Sequence, residues 1–192
     1  MLDRFEAARR LSNAVLGDGL KALALMRESK AWAAAKAMPK GEPESPQRQA
    51  RNEAFKACNL RFGFTEYALQ ALATTHKNAA CFDNRLGAHE TQKIARRVFA
   101  SLQEYAFGKR GRPRFKGRHR PLHSMEGKSN AAGPRWHADT ATVSWGKGFV
   151  MPAVMPTKAQ DPYLHACLQA KTKYCRIVWR MEQAKRLSLI HI

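Results

Sequence analysis

The chain has no run of about 18 apolar residues and so offers no membrane-spanning helix. Its four cysteines, Cys58, Cys81, Cys167 and Cys175, contain no Cys-x-x-Cys pair, which argues against a structural zinc site and for reduced thiols. The opening Met-Leu-Asp-Arg-Phe-Glu carries acids where a secretory signal has basic and apolar residues, so the expected location is the cytoplasm. No segment repeats internally. Acidic residues are scarce, with 15 Asp and Glu against 34 Lys and Arg, a net charge of +19 and a pI near 10.4. The imbalance is uneven: residues 1–107 carry 17 basic and 11 acidic side chains, whereas residues 108–192 carry 17 and only 4. Hydrophobic residues still make up 44% of the chain, enough to build a core, which excludes a disordered basic tail. A length of 192 suits one large or two small domains.

The charge peaks between Gly108 and Arg120, where seven of thirteen residues are Lys or Arg and none is acidic. Gly108, Gly111, Pro113 and Gly117 preclude a regular helix, so the donors hang from an extended strap. Such a run repels itself and has no face to bury; it acquires a purpose opposite a polyanion. Phosphate backbones release counterions on binding cations, and the planar guanidinium fork suits phosphate oxygens and base edges. Lys109, Arg110, Arg112, Arg114, Lys116, Arg118 and Arg120 are therefore the candidate nucleic-acid contacts. Phe115, in their midst, either stacks on an exposed base or anchors the loop to a core. A solvated linker is the competing reading of the strap.

Before the strap the pattern is helical. Leu2, Phe5, Ala8, Leu11 and Val15, then Leu20, Leu23 and Met26, recur at mostly three- to four-residue steps within residues 2–37. Gly17 and Gly19, each costing about 1 kcal/mol relative to Ala, mark a kink or break. Pro39–Pro46 reads as a loop. Helices are expected over 49–60, 65–76 and 88–107, the last with Ile94, Val98, Leu102 and Ala106 as its apolar stripe and Lys93, Arg96 and Arg97 elsewhere on its circumference. After the strap the period becomes two. Pro134–Trp136 and Thr142–Trp145 flank a turn, Phe149–Met155 is an edge strand because of Pro152, and Tyr174–Met181 alternates Cys175, Ile177, Trp179 and Met181 against Tyr174, Arg176, Val178 and Arg180. A short helix near 161–171 joins the last two. Trp32, Trp136, Trp145 and Trp179 read as packing residues, and Lys173, Arg176 and Arg180 either as a basic strip on one β-face or as ordinary solvated strand charges.

Several segments together resemble a known family. Arg96-Arg97-Val98-Phe99, the helix to Tyr105-Ala106-Phe107, and Gly111-Arg112-Pro113-Arg114-Phe115-Lys116-Gly117 are similar to the middle of OrfB-type, TnpB-like transposase proteins, RNA-guided DNA endonucleases related to small type V CRISPR effectors. His123-Ser124-Met125-Glu126-Gly127-Lys128-Ser129-Asn130, Tyr174-Cys175-Arg176-Ile177-Val178, Glu6–Ala14 and Met26-Arg27-Glu28-Ser29 fit in the same order. The resemblance spans about residues 4–181. It implies an α+β chain, with an N-terminal helical recognition bundle over 1–107, the basic strap over 108–133 and a partial antiparallel β-barrel, wedge-like or OB-like, over 134–186. Leu187–Ile192 resembles a translated sequencing-library adapter; the other reading is an apolar strand that closes a hairpin on Tyr174–Met181.

The family's catalytic RuvC domain, which holds divalent metal on a carboxylate cluster, has no counterpart here. Glu126, Asp139, Asp161 and Glu182 are the only acids after Gly108, and none sits in a strand pattern suited to that role. The paired-cysteine zinc ribbon is missing too. The resemblance thus implies an N-terminal portion, inactive alone and without a cofactor of its own, whose parent uses Mg and structural Zn. Its implied partners are guide RNA and target DNA, with no membrane and no small-molecule substrate; the oligomeric state is open. The alternatives are a complete small basic RNA- or DNA-binding protein with no nuclease parent, and an adaptor holding its basic patch against anionic lipid.

Overall fold

The computed structural model describes residues 1–118, 122–146, 148–155, 157–182 and 185–191, and of 179–191 the backbone alone. The chain is α+β: helices α1 (Leu2–Glu28), α2 (Lys30–Ala37), α3 (Pro46–Arg61), α4 (Glu66–Ala79) and α5 (Ala88–Ala106) precede the strands. Strands β1 (Ser124–Glu126), β2 (Pro134–His137), β3 (Thr142–Trp145) and β4 (Val150–Pro152) follow, then α6 (Pro162–Gln169), β5 (Arg176–Glu182) and β6 (Lys185–His191). Among the described residues no helix is long and apolar enough to cross a membrane.

Two compact units divide the chain, and both cut across its helices. One comprises Ser12–His76 and Ala95–Phe115; the other comprises Met1–Leu11, Lys77–Ile94 and Lys116–Ile192.

The first unit is helical. Its core takes Leu23 and Met26 from α1, Leu69 and Ala73 from α4, and Val98 and Leu102 from α5. Burying a side chain such as Leu102 contributes about 2–3 kcal/mol. Gly17 and Gly19 do not break α1, which runs unbroken to Glu28. A Cβ on Gly19 would collide with Leu102 and come within 3.3 Å of Leu69, so this glycine serves close helix approach rather than a bend. The break comes instead at Ser29, whose side chain accepts the Trp32 N–H at 3.2 Å and caps α2. Ser45 caps α3 in the same way, with Pro46 as the first helical residue rather than the last of the loop. Trp32 meets Phe55 edge-on at 4.7 Å, fastening α2 to α3.

The second unit carries two three-stranded antiparallel sheets, ordered β2-β3-β4 and β1-β5-β6. Among the described residues they stay separate and close no barrel. The β2–β3 hairpin pairs Trp136 with Val143 and Arg135 with Ser144, matching the period-two pattern, and β4 is an edge strand as Pro152 requires. Cys175 and Ile177 are fully buried, the apolar side expected of that strand. β1, whose Met125 opposes Ile177, falls inside the segment read as strap. The Asn130 amide acts as a surrogate strand, accepting the Trp136 N–H at 2.7 Å and donating to the Trp136 carbonyl at 3.0 Å. The backbone of 185–191 pairs with β5 from Glu182↔Lys185 to Arg176↔His191, the hairpin arrangement of that segment.

A buried knot ties this unit together. Trp145, wholly buried, meets Phe5 edge-on at 5.7 Å and lies under the Arg4 guanidinium. Its indole N–H donates to Glu90, whose other carboxylate oxygen accepts the Gly87 N–H at the start of α5. Glu90 thus supplies the acidic half of a capping box while anchoring β3.

Candidate nucleic-acid interface

The strap begins where α5 is made to stop. Gly108 adopts φ +71°, its N–H donates to the Tyr105 carbonyl at 3.1 Å, and the Lys109 N–H donates to the Glu104 carbonyl at 2.8 Å. That is a Schellman termination, which needs a residue at ease in the left-handed region. From Gly111 to Gly117 the backbone has no regular secondary structure. Lys109, Arg110, Arg112, Arg114 and Arg118 are exposed and Lys116 is half-buried; Arg120 lies outside the described residues. Arg110 leans back to Glu104, with Nε 3.1 Å from the carboxylate, but stays largely in water. Among the described residues, the side chains of Lys109, Arg112 and Arg114 have neither ion pair nor hydrogen bond.

Two attachments hold the strap. Phe115 stands over Gly17, where an added Cβ would lie 3.9 Å from the ring. The ring is nevertheless 57% exposed, so its place beside α1 leaves much of it in solvent. In the other unit, Arg9 Nη1 donates to the Lys116 carbonyl at 2.7 Å. Arg9 is itself fixed by a two-pronged pair with Glu6, at 2.8 and 2.6 Å. The hydrogen bonds from Arg9 hold the Glu6 carboxyl below its usual range, with nearby Arg10 and Arg118 adding to the effect.

Phe107 escaped the sequence reading. It is 72% exposed at the end of α5, one residue off the 94/98/102/106 stripe and next to the basic run. An aromatic off the stripe beside a cationic segment was the available signal. Other basic residues are engaged internally. Arg176, assigned to an open basic strip, donates from Nε to Glu126 at 2.8 Å, and Lys93 lies 3.5 Å from the same carboxylate. The side chains of Trp179 and Arg180 lie outside the described residues.

No family model, curated protein or solved structure matches this chain. Its chemistry has to be read from its own residues.

Two of the acids that follow the strap are held by neighbours. Glu126 is paired with Arg176 and Lys93, and Asp161 caps α6 by accepting the Leu164 N–H at 2.8 Å. Burial pushes the Cys175 thiol up to about 11, which keeps it protonated and a poor ligand. Among the described residues no three His, Cys, Asp or Glu side chains gather closely enough to hold an ion. The strap offers exposed cationic heads on a backbone held at two points, beside the exposed rings of Phe107 and Phe115.

Proposed function

We propose that this chain is the nucleic-acid-binding N-terminal portion of a transposon-encoded RNA-guided DNA endonuclease of the TnpB-like kind. On this reading α1–α5 are recognition helices, the strap grips guide RNA or target DNA, and the two sheets are part of a wedge-like β-domain. The RuvC and zinc-ribbon parts would belong to chain outside these 192 residues. The observation that carries the proposal is the strap itself, whose Lys109, Arg112 and Arg114 are exposed and have no partner among the described residues. Its heads position a phosphate backbone rather than read bases, which suits a protein that leaves sequence to guide pairing.

Titrating structured RNA into the chain across a salt series tests this. Six or seven cations on phosphates give a log–log slope of about −4 to −6. A slope magnitude below about 2, or no binding at low salt, overturns the proposal. Added Mg should yield no cleavage of DNA.

A further inference from the structure

The β-containing unit holds a cleft of about 720 Å³, walled by the first turn of α1, the loop before α5 and the β2–β3 hairpin. That volume lies within the range of small-ligand sites. Arg4, Asn84, Arg135 and Ser144 line it. Its two acids are already engaged: Asp83 sits 2.6 Å from Lys77 Nζ, and Glu90 accepts the Gly87 and Trp145 N–H groups. The basic residues keep donors to spare. Arg4 makes one hydrogen bond, to the Arg85 carbonyl at 2.9 Å, and leaves other guanidinium donors over. Arg135 is exposed, and among the described residues its guanidinium has no hydrogen bond or ion pair. Gly146 (φ +70°) keeps the wall open, because a Cβ there would come within 2.6 Å of the Arg4 guanidinium.

We infer that this cleft is a nucleotide site, taking one phosphorylated adenosine unit with its phosphate on Arg4 and Arg135 and its base edge on Asn84. Two guanidiniums, beside one acid paired with Lys77 and another held by N–H donors, favour a phosphate over a cation. The Asn84 amide offers the donor and acceptor that match the N6 and N7 edge of adenine, and Ser144, 2.7 Å from His137 Nε2, supplies a further hydroxyl. The inference deepens the nucleic-acid reading and, in attributing the unit to a bound strand, rests on it. A free nucleotide and a strand end share this chemistry.

The full chain is titrated calorimetrically with adenosine 5′-monophosphate, adenosine, inorganic phosphate and, separately, an RNA duplex. The monophosphate should bind more tightly than adenosine or phosphate alone. Arg135→Ala should weaken it about ten- to hundredfold, the usual cost of one charge-assisted hydrogen bond, and Arg135→Lys should restore part of the loss. Arg135 is exposed, so neither replacement disturbs the core. Displacement of the monophosphate by a 5′-phosphorylated tetra-adenylate assigns the site to a strand, and failure to displace assigns it to the free nucleotide; both uphold it. RNA binding without monophosphate binding, or equal monophosphate affinity in Arg135→Ala, overturns the cleft and leaves the strap reading standing. Monophosphate binding without RNA binding does the reverse.

Discussion

Two basic regions of this chain look alike in composition and differ in what their charges do. In the β1–β5 sheet, Arg176 and Lys93 converge on Glu126, a carboxylate only 10% exposed. In the strap, Lys109, Arg112 and Arg114 are in solvent with no partner among the described residues. The sheet's cations hold a fold together, while these three make no internal pair among the described residues and repel one another. Charge that is costly to assemble and unused internally points to an external partner. Net charge alone, concentrated after Gly108, does not separate the two cases.

The largest effect that could break the comparison is on RNA affinity. Replacing Lys109, Arg112 and Arg114 together with Ala should reduce the salt slope by about 2–3, since each phosphate contact contributes nearly one unit. Stability by urea unfolding should stay within about 0.5 kcal/mol, as for surface changes generally. An unchanged slope would put the strap's charges on the same footing as the sheet's.

The opposite pattern is expected for Glu126→Ala. Removing the carboxylate leaves Arg176 and Lys93 facing each other without compensation, and should cost about 2 kcal/mol of unfolding free energy. The partial exposure of both cations keeps the loss below that of a fully buried pair. A loss under about 0.5 kcal/mol would show that the sheet does not depend on this cluster.

Much of this was legible because it is local. The α5 stripe at Ile94, Val98 and Leu102, the Pro134–Trp145 hairpin and the Gly-punctuated strap each follow from spacing over a few residues, and each has its expected form. What was illegible depends on distant partners. β1 is only three residues long and exists because Met125 meets Ile177, some fifty positions away. Gly19 reads as a helix breaker until Leu69 and Leu102 are seen pressing against it. Glu90 reads as one more surface acid until Trp145 donates to it. The division into two units hides for the same reason, since it passes through the middle of continuous helices. Within the strap, spacing names the cations but not which of them lack an internal partner, and it does not show that Phe107 is exposed.

The two exposed aromatics sharpen the comparison further. Phe107→Ala and Phe115→Ala should each weaken single-stranded RNA by about 1–3 kcal/mol, the range for base stacking, with little change for a duplex, whose bases are already stacked. Equal losses on both substrates would assign the rings to shaping the strap, with Phe115 acting through its seat against Gly17.

The smallest effect concerns the strap's fastening to α1. Glu6 orients Arg9, and Arg9 holds the Lys116 carbonyl. Because the folded-state pKa of Glu6 is depressed, the stabilisation is complete above the ordinary carboxylate pKa near 4.5 and is lost as pH falls through the lower folded value. Glu6 is 44% exposed, so the pair belongs with surface ion pairs worth about 0–1 kcal/mol. Amide exchange at 115–118, corrected for intrinsic rate, should therefore quicken a fewfold on acidification below that range, and Glu6→Gln should show the faster exchange already at neutral pH. Arg9→Ala removes the donor to Lys116 as well and should be insensitive to pH over the same window. If Glu6→Gln exchanged like the parent protein at neutral pH, the fastening would be the hydrogen bond from Arg9 alone, and the strap's backbone would be held independently of charge.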